Sequence, residues 1–382
     1  MRTIDWLLLP VGALLIVGSV RLGCSAGGGN VLGNGPNGTG NNGQGASGGG
    51  IMFGGQGGNG NGGPVCQDPT CVGNTPQGNC DNGLQLASSD AMDGARAIGL
   101  CQVAQPGTWG VVSAEWAACD GSPMVGGDGG MFGDGTDLST GKGILDHFGN
   151  VILPREGVKL LALSSGSARN PTDPDFSDPQ GDWKDSSPFN PPPGYPKESP
   201  SCPGVQTGEP YDSAGLRLTI RTPTDAKSFT FDFTFFTYEY PDYICSTYND
   251  FFVALLDPKL SNQPDGNISF DAQGNNISVN AGFLQACNPC NTGGKNFDCS
   301  LGYGEILGTG FESNSAGTCP IQGSASTSWL VTTAPIESPG SDITLHFTIW
   351  DSGDGVLDST VIIDNFRFAL TEGQVGTQPI PR

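Results

Sequence analysis

The sequence predicts an all-β fold: an antiparallel β-sandwich, jelly-roll-like, with one short N-terminal helix. Three observations predict it. Gly and Pro number 62 and 29 of 382 residues, while charged residues make up only 14%; Gly and Pro weaken helix interiors, and long helices draw on Lys, Glu and Arg. Hydrophobic alternation of period two recurs along the second half of the chain, as it does where a strand has one buried and one wetter face. Dense turn residues separate these runs, and helical periodicity is nearly absent.

Near the start of the foldable part, Ser89 or Asp90 can cap a short helix with Ala91, Met92, Ala95 and Ile98 on one face. From Trp109 the pattern turns to period two through Trp116, and Val158–Leu163 reads as a further strand. Residues 170–203 hold ten Pro in 34 positions; Pro lacks the ladder N–H, so a long surface excursion is expected there rather than a central strand. Leu216, Leu218 and Ile220 alternate with Arg217, Thr219 and Arg221. In SFTFDFTFF, Phe229, Phe231, Phe233 and Phe235 face one way, with Thr230, Asp232 and Thr234 on the wetter side. Ile343, Leu345, Phe347 and Ile349 repeat the pattern, and Val361–Phe368 gives a last strand.

The start of the chain reads as an export signal. Arg2 precedes an apolar run of 15 residues, Trp6 to Val20, short of the roughly 20 that span a bilayer but suited to a signal peptide. Leu22-Gly23-Cys24-Ser25 resembles a bacterial lipobox, with Arg21 departing from its apolar preference. Residues 1–24 are therefore expected to be a signal peptide with Cys24 as lipidation site; a cleaved soluble form and an uncleaved anchor are the alternatives. Of the 37 residues from Gly27 to Gly63, 19 are Gly and 7 are Asn. Such a chain cannot offset its ordering entropy, so 25–64 is expected to be a disordered tether reaching roughly 35 Å. Residues 65–83 form a Cys-rich lead, 84–370 the sandwich domain, and 371–382 a flexible tail.

Twelve Cys point to an oxidising compartment. Cys66, Cys71 and Cys80 read as a stapled loop rather than a zinc site, since no His lies near. Cys101–Cys119, Cys245–Cys287 and Cys299–Cys319 are plausible pairs, though sequence does not fix connectivity. With Cys24 lipidated or removed, eleven remain, an odd number. Cys287-Asn-Pro-Cys290 has redox spacing but lacks a βαβ setting.

The charge balance, 16 basic against 38 acidic residues for a net −22, argues against nucleic acid as a partner. Two acidic segments stand at strand ends. One runs Thr237-Tyr238-Glu239-Tyr240-Pro241-Asp242-Tyr243 and on to Tyr248-Asn249-Asp250; the other runs from Trp350 and Asp351 through Asp354, Gly355 and Asp358 to Ser359. Carboxylates and amide carbonyls on turns are the ligands Ca²⁺ prefers. Glu239, Asn249, Asp250, Asp351, Asp354 and Asp358 are the candidate metal ligands; the competing reading is Asx-turns and strand caps. The loop Asp128–Asp137 has weaker calcium-loop character. Tyr240, Tyr243, Tyr248 and Trp350 are read as exposed, sugar-stacking aromatics near these loops, with core as the alternative for some of them.

Only two histidines exist: His346, read as a surface residue, and His147 in a turn. No G-x-S-x-G or H-E-x-x-H occurs. An enzyme is not expected. The remaining enzymatic option is a glycoside hydrolase, which needs two carboxylates, here Glu239 with Asp354 or Asp358.

At these residues the sequence resembles a known family. TYEYPDYICSTYNDFFVALL, LGTGFE, TSWLVTTAP and IWDSGDGVLDSTVIIDNF, with GARAIGLC and TWGVVSAEW nearer the start, are similar to the choice-of-anchor L domain of bacterial surface proteins. The resemblance spans roughly 90–369, with the Pro-rich stretch departing from it. It implies a secreted or surface-anchored β-sandwich, with Glu239, Tyr240, Asn249, Asp250, Asp354, Gly355, Asp358 and Ser359 on the family's acidic motifs; it implies no catalytic residues. The expectation is an exported binding or adhesion module of the bacterial envelope, stabilised by Ca²⁺ and tethered to the outer or cell-surface membrane by lipid. Its ligand would be a glycan or a protein; the alternative is a structural envelope or matrix component without a ligand.

Overall fold

A computed structural model describes residues 70–71, 79–124, 138–180, 188–292, 295–312 and 323–381. Cys24 with the signal segment, the Gly/Asn-rich stretch, Cys66, the Asp128–Asp137 loop and Cys319 lie outside the described residues. The chain divides into units 1–61 and 62–382, and the described residues all belong to the second.

Helix α1 (Ala91–Ala97) starts where expected: the Asp90 carboxylate accepts the Met92 N–H at 3.0 Å, satisfying one of the free N–H groups of the first turn. Ala91, Ala95 and Ile98 are buried in the main core, and Met92 packs against it. Gly94 lies so close to the Trp116 ring that a Cβ there would sit 2.7 Å from it.

The strands are β1 (Gly110–Trp116), β2 (Lys142–Leu145), β3 (Leu160–Ser164), β4 (Pro210–Arg221), β5 (Ser228–Thr237), β6 (Phe251–Asp257), β7 (Cys290–Thr292), β8 (Lys295–Phe297), β9 (Ala325–Ser326), β10 (Leu330–Pro335), β11 (Asp342–Ser352), β12 (Ser359–Ala369) and β13 (Gly376–Pro379). One sheet has the order β1-β4-β11-β6; the other runs β13-β10-β5-β12-β3-β2, with β9 beside β5. Every pairing within them is antiparallel. The chain passes from one sheet to the other between β4 and β5, between β5 and β6, and between β11 and β12. That alternation gathers the ends of these strands at common rims.

The alternating residues build the core. Leu216, Leu218 and Ile220 of β4 and Ile343, Leu345, Phe347 and Ile349 of β11 are buried in one cluster with Phe229, Phe231, Phe233 and Phe235 of β5. Ring centroids lie 4.8 Å apart for Phe231–Phe347 and 5.0 Å for Phe233–Phe252, spacings that add directional aromatic attraction to burial.

Both outer faces are covered more fully than the pattern suggests. Asp232 and Thr234 are buried, not wet, because the Arg155 side chain bonds Asp232 and the Ser326 hydroxyl lies 3.2 Å from that of Thr234. On the same sheet Phe236, Ile362 and Ala162 form a second core with Ile306 and Phe311 of the 300–312 loop. On the other sheet, Tyr195 of the Pro-rich segment lies over Trp350 and Phe251, with centroids 5.4 and 5.9 Å away. Among its described residues the excursion carries no strand, and part of it is a lid on the sheet. The C-terminal segment differs from a flexible tail: β13 pairs with β10, which has a free edge there.

The disulfides correct the expected pairs. They join Cys80–Cys101, Cys202–Cys245 and Cys287–Cys299, with Cα separations of 5.5, 5.2 and 5.1 Å, all within the range a bridge spans without backbone movement. Cys71 and Cys290 are disulfide-bonded as well. Cys119 is a free, buried thiol, which burial pushes up to about 12. It packs with Tyr195, Phe251 and Trp350, whereas Cys101 is tied to the N-terminal lead through Cys80.

Candidate functional site

The sandwich brings the two acidic segments to one rim. Glu239 follows β5, Asp250 precedes β6, Asp351 is the penultimate residue of β11, and Asp354 and Asp358 lie in the turn into β12. Glu239, Asp250, Asp351 and Asp358 are 2% exposed or less, and Asp354 stands at the surface.

Hydrogen bonds knit the rim together. A Glu239 carboxylate oxygen accepts the Asp250 N–H at 2.9 Å, linking the β5 exit to the β6 entry. Asp250 accepts the Ser352 N–H at 3.2 Å, linking β6 to β11. Asp351 accepts the Gly355 N–H at 3.2 Å and Asp354 the Val356 N–H at 3.2 Å, which shapes the turn. These bonds are the Asx-turn and capping role that such residues have in an acidic protein.

Capping does not exhaust the rim. Burial, and next the Asp250 charge, hold Glu239 well above the usual carboxylate range. Asp250 is raised by burial, and Asp351 by burial and then by Asp250 and Glu239. Among the described residues no Lys or Arg forms an ion pair with Glu239, Asp250 or Asp351. The second Asp351 oxygen, the Ser352 hydroxyl and both amide atoms of Asn249 have no hydrogen-bond partner among the described residues. No group of three or more His, Cys, Asp or Glu among the described residues is already placed to hold a metal ion.

Two neighbours gave no signal in the sequence. Asp212, wholly buried near the start of β4, lies against Gly355: a Cβ there would sit 3.0 Å from its carboxylate. Gly166 makes room for Asp358, whose carboxylate would lie 1.6 Å from a Cβ at that position. A lone Asp in PYDSAG and a Gly after a strand carry no pattern that points to a distant loop.

The aromatics divide between the two readings. Tyr240 and Trp350 are 0% and 1% exposed and belong to the core. Only Tyr248, at 40% exposure, and half-buried Tyr243 reach the surface, packed edge to face at 6.0 Å.

His346 is not a surface residue either. It is 7% exposed, with Nε2 3.3 Å from the Ala117 carbonyl. Burial holds it down at about 4, with the Arg217 charge working the same way and Ala117 and Asp120 opposing. Its neutral form therefore contributes stability above the unfolded value near 6.5, and that contribution is lost as pH falls through about 4. The shift corresponds to about 3 kcal/mol at most. Melting curves between pH 7 and pH 4 should show that His346→Gln removes a large part of the acid lability; an unchanged profile would contradict this account.

A separate concavity of about 430 Å³ lies beside the Cys287–Cys299 bridge. Asp271, Asn275 and Asn280 line it, each 2% exposed. Asp271 is fixed by four N–H groups, those of Gln273, Asn275 and Gly282 and the Asn275 side chain, at 2.8–2.9 Å. Gln273, Gln285, Asn296 and Asp298 supply the more accessible polar wall. Among the described residues no Lys or Arg lines it.

The model of the Choice-of-anchor L domain family matches residues 210–369, from the first residue of β4 to the last of β12. That segment is therefore similar to the choice-of-anchor L domain, and the family implies a cell-surface or exported, β-rich module. GARAIGLC and TWGVVSAEW lie upstream of the match. No curated protein and no solved structure matches the chain significantly. No helix among the described residues is long and apolar enough to cross a membrane.

Proposed function

We propose that this surface-associated module acts by binding rather than by turnover, as an adhesion element of the cell envelope that recognises a neutral glycan. The observation that carries the reading is the concavity beside Cys287–Cys299. Carboxamides such as Gln285 and Asn296 offer both a donor and an acceptor, which suits the alternating demands of sugar hydroxyls. Four N–H bonds hold Asp271 rigid beneath them, so little order is lost on binding. With no cation in the described lining and a net charge of −22, acidic sugars are disfavoured. On this reading the N-terminal segment tethers the module to the membrane through lipid on Cys24.

A glycan array probed with the full chain tests the proposal. Binding to neutral glycans is expected, weakened at least about tenfold, some 1.4 kcal/mol, in a Gln285→Ala/Asn296→Ala double variant. A blank array would leave a structural envelope component without a ligand. Binding unchanged in the double variant would overturn the assignment to this concavity.

A further inference from the structure

We propose that the acidic rim is a site for one hard divalent cation of the Ca²⁺ class, held by Asp250 and Asp351 with Asn249 and Ser352 supplying neutral oxygens. Asp354 stands at its exposed mouth. The site shares no residue with the glycan-binding concavity and does not depend on it.

The groups in the rim are over-supplied with acceptors. Each of the four named side chains is buried to at least 99%. Among the described residues, Asp351 has one oxygen without a partner, Asn249 lacks a partner at both amide atoms, and Ser352 lacks one at its hydroxyl. A buried polar atom left unmade costs on the order of 1–3 kcal/mol, and native interiors leave few of them. Here they fall on Asn249 and on the neighbours Asp351 and Ser352, and the bond from Ser352 N to Asp250, the residue after Asn249, ties the two segments together. No cation among the described residues balances the carboxylates, since none of the ion pairs involves Glu239, Asp250 or Asp351.

The donor chemistry selects the ion. Carboxylate, amide and hydroxyl oxygens are hard, and no His or Cys is among them, which disfavours zinc and copper. Ca²⁺ takes about six to eight oxygens in flexible geometry and completes its shell with backbone carbonyls and water, whereas Mg²⁺ demands a tight octahedron. An exported protein meets calcium near millimolar concentration, where the weak sites of extracellular modules operate.

The full chain, stripped with EDTA, is titrated with Ca²⁺ alone. One ion per chain is expected by metal analysis, with a rise in Tm of roughly 5–10 °C at a hundredfold excess over Kd. Mg²⁺ should give a smaller rise. Asp351→Asn should abolish the shift. Asp354→Asn, a substitution at an exposed position, should weaken binding about tenfold. Absence of both bound calcium and any Tm change up to about 10 mM Ca²⁺ would overturn the proposal. So would a calcium shift that survives in both variants, which would place the ion elsewhere. Should Asp351→Asn not fold, the wild-type stoichiometry and Asp354→Asn decide.

Discussion

Phe231→Ala is expected to cost the fold about 3–5 kcal/mol, the range for a buried aromatic truncated in a core that cannot collapse. Phe231 is 0% exposed in the middle of β5. It meets Phe347 of the opposite sheet edge to face at 4.8 Å and lies 5.9 Å from Phe233. β5 is hydrogen-bonded on both sides, to β10 and β12, so its backbone cannot sink into the void. The same geometry makes Phe231→Leu milder, about 1–1.5 kcal/mol, since most of the volume stays filled. Denaturant unfolding of both variants checks the prediction; a Phe231→Ala loss below about 1 kcal/mol would mean the two sheets re-pack freely.

Gly215→Ala should be comparably severe, for a steric reason. Gly215 sits in β4 between β1 and β11, and a Cβ there would lie 2.5 Å from the Ala117 carbonyl oxygen and 2.6 Å from that of Phe347. Both obstacles are backbone. The first belongs to a residue whose N–H is bonded to the Gly215 carbonyl at 3.0 Å. A third neighbour, His346 Nε2, would be 2.9 Å away. Relief requires parting the ladder on one side of β4, an overpacking cost of about 3 kcal/mol or more. Gly304→Ala is the control, because nothing lies within 4 Å of its Cβ position; it should change stability by less than about 0.5 kcal/mol. Equal melting temperatures for the two variants would refute the argument.

The sequence made the sandwich legible where one face of a strand packs inward, because alternation records that asymmetry. Phe229 to Phe235 and Ile343 to Ile349 show it, and the structure puts both sets in one core. Alternation is blind to what lies on the other face. His346, Asp232 and Trp350 read as outward residues, yet neighbouring segments and the Tyr195 lid cover them. β4 was legible only from Leu216, because Pro210 and Gly215 look like strand breakers; an edge start admits the Pro, and close backbone approach demands the Gly. The acidic rim could be anticipated because Asp250 and Asp351 flank recognisable strands. Asp212 could not, since its place beside Gly355 exists only once the two sheets are closed. Cysteine pairing failed for the same reason: Cys202 joins Cys245 through a Pro-rich segment whose course no local pattern encodes.

The matched segment ends at strand borders, yet it is not self-sufficient. β1 supplies the neighbour of β4, while β3, and β2 beyond it, complete the sheet next to β12. The N-terminal lead is fastened as well, by Cys80–Cys101 and by Asp81, which accepts the N–H groups of Val158 and Lys159. Excising 210–369 would therefore bare two long central edges, a template for aggregation. For gene fusion, the portable cassette begins upstream of Cys80 and reaches β13, and joints inside that span should yield insoluble products.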